Sequence, residues 1–153
     1  MVFVCTGNTC RSPLAEALAR KIAQQRGIDA TFASAGTAAA MGSPATDGAI
    51  LVGIERGVDL SRHRSRPLLP AAVSEETVVL AMAPAHVSGA RSVVPDARVY
   101  LLDEYGSYGA STRSVTDPYG GDLAGYRDAA DAIEEMLGPM FARLESERKT
   151  GRS

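Results

Sequence analysis

A chain of 153 residues is long enough to bury a core without disulfides or metals, and it has the usual size of one domain. Its 45% hydrophobic and 22% charged content is that of an ordinary globular protein and excludes a disordered chain. A net charge of −2 gives no global basic footprint for nucleic acid, so any anion site has to be local. No segment approaches the ~20 apolar residues of a bilayer span, and the N-terminus reaches a polar turn with no charged stretch ahead of an apolar one. The cytoplasm is therefore the expected location, with neither nucleic acid nor membrane as partner.

MVFV (1–4) predicts a first strand. After the turn, PLAEALARKIAQQRG places Leu14, Leu18 and Ile22 at helical spacing, with Ser12 as the expected N-cap, Pro13 at the first helical position and Gly27 as the stop. DATFAS (29–34) reads as a second strand and SAGTAAAMGSP as loop. Pro44 opens a helix over about 45–56, closed by Gly57, with Ala49, Val52 and Leu51 as inward positions.

TVVLAMA (77–83) is the strongest strand pattern, an uninterrupted apolar run of the kind buried on both faces of a parallel sheet. A short helix at 84–91 and a strand ARVYLL (97–102) follow. DEYGSYGASTRSVTDPYGGD has no sustained periodicity and reads as one long irregular loop, a length that usually signals function or disorder. From about 122 to 147 the positions Leu123, Tyr126, Ala130, Ile133, Leu137, Met140 and Leu144 outline an amphipathic C-terminal helix, followed by a frayed polar tail, KTGRS. The basic run Arg62, His63, Arg64, Arg66 is expected to be mainly a solvated face for its arginines.

Strands alternating with helices argue for a single-domain α/β fold, a four-stranded parallel sheet with helices on both faces. Such sheets bind ligands beyond the carboxyl ends of their strands. The first strand-to-helix turn is such a place, and there CTGNTCRS (5–12) holds both cysteines of the chain. Three readings arise: a metal site, a disulfide, or a reactive thiolate where an oxyanion would sit. Neither paired CxxC spacing nor the histidine partners of a zinc site occur, so the metal reading is the weakest.

A loop entering a helix N-terminus aims unpaired N–H groups at one spot, and the helix dipole adds partial positive charge there. Gly7 and Asn8 tolerate left-handed backbone, which lets successive amides converge, and Arg11 supplies a planar fork for two phosphate oxygens. The same field favours a thiolate at Cys5 over the neutral thiol, making it a nucleophile beside a phosphate cradle. No lysine follows a glycine as in a nucleotide-binding loop.

CTGNTCRSPLAEAL resembles the phosphate-binding loop and first helix of the low-molecular-weight protein tyrosine phosphatase family. SAG (34–36), GVDLSRHRSR (57–66) and DPYGG (117–121) follow in that family's order. The resemblance implies a phosphatase domain over 1–148 with a polar tail at 149–153, no cofactor or metal, and phosphorylated proteins as substrates of a monomeric enzyme. It implies that Cys5 attacks phosphorus and that Thr6, Gly7, Asn8, Thr9, Cys10, Arg11 and Ser12 form the phosphate loop. Asp117 would be the general acid and then the base for water. Asn8, Ser12, Ser34 and His63 would hold the loop in shape, and Cys10 would guard Cys5 through a reversible disulfide.

Within that resemblance, Thr9 stands where tyrosine-specific members carry isoleucine, which resembles the bacterial protein-arginine phosphatase branch. Ala38, Ala39 and Ala40 replace an aromatic flank, leaving Thr9, Ala40 and Tyr119 as the pocket wall. A tyrosine phosphatase is the alternative. An arsenate reductase of the thiol-cascade type would need cysteines beyond Cys10, and none follows. An idle phosphate-binding module would need neither Cys5 nor Asp117.

Overall fold

The computed structural model describes residues 1–151. Four parallel strands, β1 (Val2–Cys5), β2 (Ala33–Gly36), β3 (Val78–Ala81) and β4 (Arg98–Leu101), form one sheet in the order β2-β1-β3-β4. Five α-helices surround it: α1 (Arg11–Arg26), α2 (Asp47–Glu55), α3 (Pro84–Val93), α4 (Leu102–Gly106) and α5 (Leu123–Gly151). A single 3₁₀ turn at Pro70–Ala72 was not foreseen.

Strand alternation divides the core. Val2, Val4, Val79 and Ala81 pack with Ala90 and Val94 of the α3 side. Phe3, Cys5, Val78 and Leu80 face the larger core built with Leu14 and Leu18 of α1 and Ile133, Leu137 and Met140 of α5. Helices thus cover both faces, and β3 is buried at every position. No helix of the described residues is long and apolar enough to cross a membrane.

Several sequence expectations need correction. β2 begins at Ala33, not at 29, because its register is set by β1: Val2 pairs with Ala33 and Cys5 with Gly36. Residues 29–32 precede the first residue of β1 that can partner them, and SAG is strand rather than loop. Ser12 does not cap α1; the N-cap is Cys10, with no side-chain bond to the helix, and Ser12 lies buried inside the first turn. Gly27 does end α1 in the left-handed conformation, φ 64°, closing on Ala23 and Gln24.

In α2, Thr46 is the N-cap and accepts from the Ala49 N–H; Ala49 and Val52 face inward, whereas Leu51 is 50% exposed. The segment read as one irregular loop contains α4, whose Leu102, Asp103 and Tyr105 are buried. Five residues are too few to display a period. α5 runs on through Lys149 to Gly151, so 149–151 are helical rather than frayed; the remainder of the tail, 152–153, lies outside the described residues.

Candidate active site

β1 ends at Cys5 and α1 begins at Arg11, so the five residues 6–10 must turn sharply at the carboxyl edge of the sheet. Asn8 takes the bend with φ 58° and is fully buried. Every polar group of its side chain is used: Nδ2 donates to Ser12 Oγ at 2.8 Å and to Ser34 Oγ at 3.0 Å, and Oδ1 accepts from the Arg66 N–H at 3.0 Å. Its carbonyl accepts from His63 Nε2 at 2.6 Å, and the Ser34 hydroxyl in turn donates to Glu16 Oε1 at 2.6 Å. The strained residue is fixed from four directions.

Gly36 makes this possible. A Cβ there would lie 2.5 Å from the Thr6 carbonyl oxygen and 3.2 Å from Asn8 Cβ, so the end of β2 can approach the loop only as glycine. The structure therefore gives SAG a physical meaning: Ser34 for the network, Gly36 for the approach.

Cys5 Sγ lies 2.9 Å from Ser12 Oγ. Both cysteines are free thiols; Cys10 Sγ lies 3.3 Å from Thr46 Oγ1 and 3.6 Å from Tyr126 OH. Burial, with Cys10 beside it, pushes the Tyr126 phenol above its ordinary range.

Arg11 is buried and held by the loop that follows β4: its Nη1 donates to the Val115 carbonyl at 3.0 Å, and its Nη2 is 3.6 Å from Asp117 Oδ2. Its Nε is buried with no partner, a donor left for an acceptor that enters the site. Asp117 is 56% exposed, and its other oxygen accepts the Tyr119 N–H at 3.0 Å, which bends the DPYGG turn toward the opening.

These groups converge on a cavity of about 340 Å³ lined by Cys5, Thr6, Gly7, Thr9, Cys10, Arg11, Ala40, Ser43, Asp117 and Tyr119. All of the expected catalytic and wall positions are brought together there; Asn8, Ser12, Ser34 and His63 stand behind the loop. A larger cavity, about 480 Å³, lies at the other end of the strands against Met1, Arg98 and Glu147 and is lined by no cysteine. Chemically, the lining offers a thiol with a hydroxyl beside it, a guanidinium with a spare donor, and an exposed carboxylate beside the guanidinium.

Sequence reading missed several contributors. Ser43 reaches the wall because its backbone pairs with Ser65 across the loop. Arg66, placed among solvated arginines, instead supplies its N–H to Asn8 and its Nε to the Ser34 carbonyl at 3.0 Å. His86 was not singled out at all, yet its Nε2 is 3.0 Å from Thr6 Oγ1 and 3.5 Å from Arg11 Nη2. The signal available was position: His86 follows β3, the strand next to β1, at the same carboxyl edge.

The chain matches the family model described as low molecular weight phosphotyrosine protein phosphatase over residues 1–150. A protein-arginine-phosphatase of Bacillus subtilis (strain 168) is 37% identical over 153 residues, covering 97% of this chain and 99% of that protein. A probable low molecular weight protein-tyrosine-phosphatase, EpsP, of Ralstonia nicotianae is 30% identical over 148 residues, covering 95% and 96%. A solved YwlE arginine phosphatase mutant with a phosphorylated active-site serine superposes with a TM-score of 0.90 at 35% identity, covering 97% of each chain.

Proposed function

We propose that this chain, which belongs to the low molecular weight phosphotyrosine protein phosphatase family, is a cysteine-dependent protein phosphatase acting on phosphoarginine without a metal. Cys5, as thiolate, attacks phosphorus; the P–N bond breaks, and the departing guanidine takes a proton from Asp117. Water then attacks the cysteinyl-phosphate, giving its proton to the Asp117 carboxylate and releasing inorganic phosphate and the Cys5 thiolate. Arg11 and the N–H groups of Thr6 to Ser12 bind the equatorial oxygens throughout.

The observation that carries the choice of substrate is the composition of the wall. Thr9, Ser43 and the Asp117 carboxylate put three oxygen-bearing side chains around the opening, while Ala40 offers no ring and Tyr119, the one aromatic, is 70% exposed. A guanidinium group finds acceptors there; a phenol finds a ring on one side only. Tyr119 favours the second reading, a tyrosine phosphatase, to the extent that one ring can stack on phosphotyrosine.

A parallel assay decides between them. Wild type is expected to prefer phosphoarginine peptides in kcat/KM, and Thr9→Ile to reverse the order. Loss of one hydrogen bond to a charged partner is worth about 1.5–3 kcal/mol, or roughly one to two decades. A wild type that prefers phosphotyrosine returns the protein to the second reading. Turnover surviving in Cys5→Ser would overturn the mechanism itself.

A further inference from the structure

His86 is 3% exposed, in the first turn of α3, and has no part in the chemistry above. Its Nε2 faces two donors from different elements, the Thr6 hydroxyl at 3.0 Å and Arg11 Nη2 at 3.5 Å; its Nδ1 is buried without a partner. An arginine N–H can only donate, so a proton on Nε2 would point at another proton; the lone pair belongs there and the hydrogen on Nδ1. The unpartnered Nδ1 is equally unsatisfied in either tautomer and does not affect this choice.

The surroundings keep the ring uncharged. Burial lowers its proton affinity most, the Arg11 cation lowers it further, and Asp117 opposes them, leaving a pKa of about 4. The N-terminal turn of a helix is likewise a poor place for a cation.

We propose that His86 is a positioning residue for the phosphate site: its Nε2 accepts from Arg11 and from Thr6, setting the guanidinium and the start of the loop in the orientation that meets phosphate. Arg11 is then gripped at Nη1 by the Val115 carbonyl and at Nη2 by His86, which directs the free Nε donor at the incoming oxygens. The 3.5 Å contact is long, and phosphate that draws Arg11 into place shortens it. Because the ring carries no charge, it orders Arg11 without neutralising it.

The inference rests on the phosphatase reading and is tested separately from it. Calorimetric titration with inorganic phosphate at pH 7 compares wild type, His86→Phe, which keeps the ring and removes the acceptor, and His86→Gln, whose side-chain oxygen can reach the Nε2 position. His86→Phe is expected to bind phosphate about tenfold more weakly and to lose kcat/KM to the same extent for good and poor aryl leaving groups, with Gln restoring most of both. A Phe variant that binds like wild type, or a Gln variant as weak as Phe, overturns the proposal. Nitrogen-15 NMR of the wild-type imidazoles needs no variant: the proton of His86 is expected on Nδ1 at neutral pH, and a proton on Nε2 overturns the proposal even if His86→Phe does not fold. Wild type that neither cleaves aryl phosphate nor binds phosphate defeats both readings, whereas a competent wild type with an indifferent His86→Phe defeats this one alone.

Discussion

The thiol of Cys5 and the hydroxyl of Ser12 are 2.9 Å apart across the loop that joins β1 to α1. Asn8 Nδ2 donates to the same Ser12 oxygen, which leaves the Ser12 proton free to point at sulfur. Ser12→Ala is therefore expected to slow alkylation of Cys5 by iodoacetate at neutral pH by about tenfold, in line with one hydrogen bond to a charged group. Unchanged alkylation would mean that Ser12 does not serve the thiolate.

Asp117 reaches the opening from the far side and touches Arg11 only at 3.6 Å, so its exposed carboxyl is available to a leaving group. Asp117→Asn is expected to depress turnover of poor leaving groups by about a hundredfold and of good ones far less, because only poor ones need a proton in the transition state. A leaving-group series of aryl phosphates checks this; equal losses across the series would take Asp117 out of the acid role.

Cys10 sits five residues from Cys5, in contact with Thr46 and Tyr126 and free of any disulfide. Peroxide is expected to oxidise Cys5 to the sulfenic acid, and condensation with the Cys10 thiol would then release water and form a disulfide that thiols reduce. Inactivation by peroxide is expected to be reversed by dithiothreitol in wild type and to become permanent in Cys10→Ser. Equal recovery of the two proteins would leave Cys10 as a packing residue.

His86 gives a dependence on acid that binding assays do not see. The ordinary pKa of 6.5 is lowered to about 4 in the folded protein by burial and by Arg11, with Asp117 opposing. Between those values the unfolded chain binds the proton and the folded one does not, so the folded state loses stability as pH falls through that window. The slope is at most about 1.4 kcal/mol per pH unit, or about 2 kcal/mol by pH 5. Urea midpoints at pH 7 and pH 5 are expected to separate more in wild type than in His86→Gln, which cannot titrate; the same separation in both would remove His86 from the acid response.

What the sequence determined by itself was whatever depends on neighbours along the chain. Apolar runs marked β1, β3 and β4, Gly27 marked the end of α1, and the eight residues CTGNTCRS carry the local pattern expected of an anion nest, because a strand, a left-handed residue and a helix N-terminus fall within one turn. The tertiary structure decided everything that depends on which strand lies beside which. The β2-β1-β3-β4 order brings Ser34 and Arg66 to Asn8 and sets His86, eighty residues from Thr6, against Arg11. The start of β2 follows from pairing with β1 rather than from its own composition, and Leu51 is exposed because α2 turns Ala49 and Val52 to the core instead. α4 escaped notice because so short a helix is held by its buried face, where Gly106 lets it close on Pro139 and Met140 of α5, and no local period records such a contact.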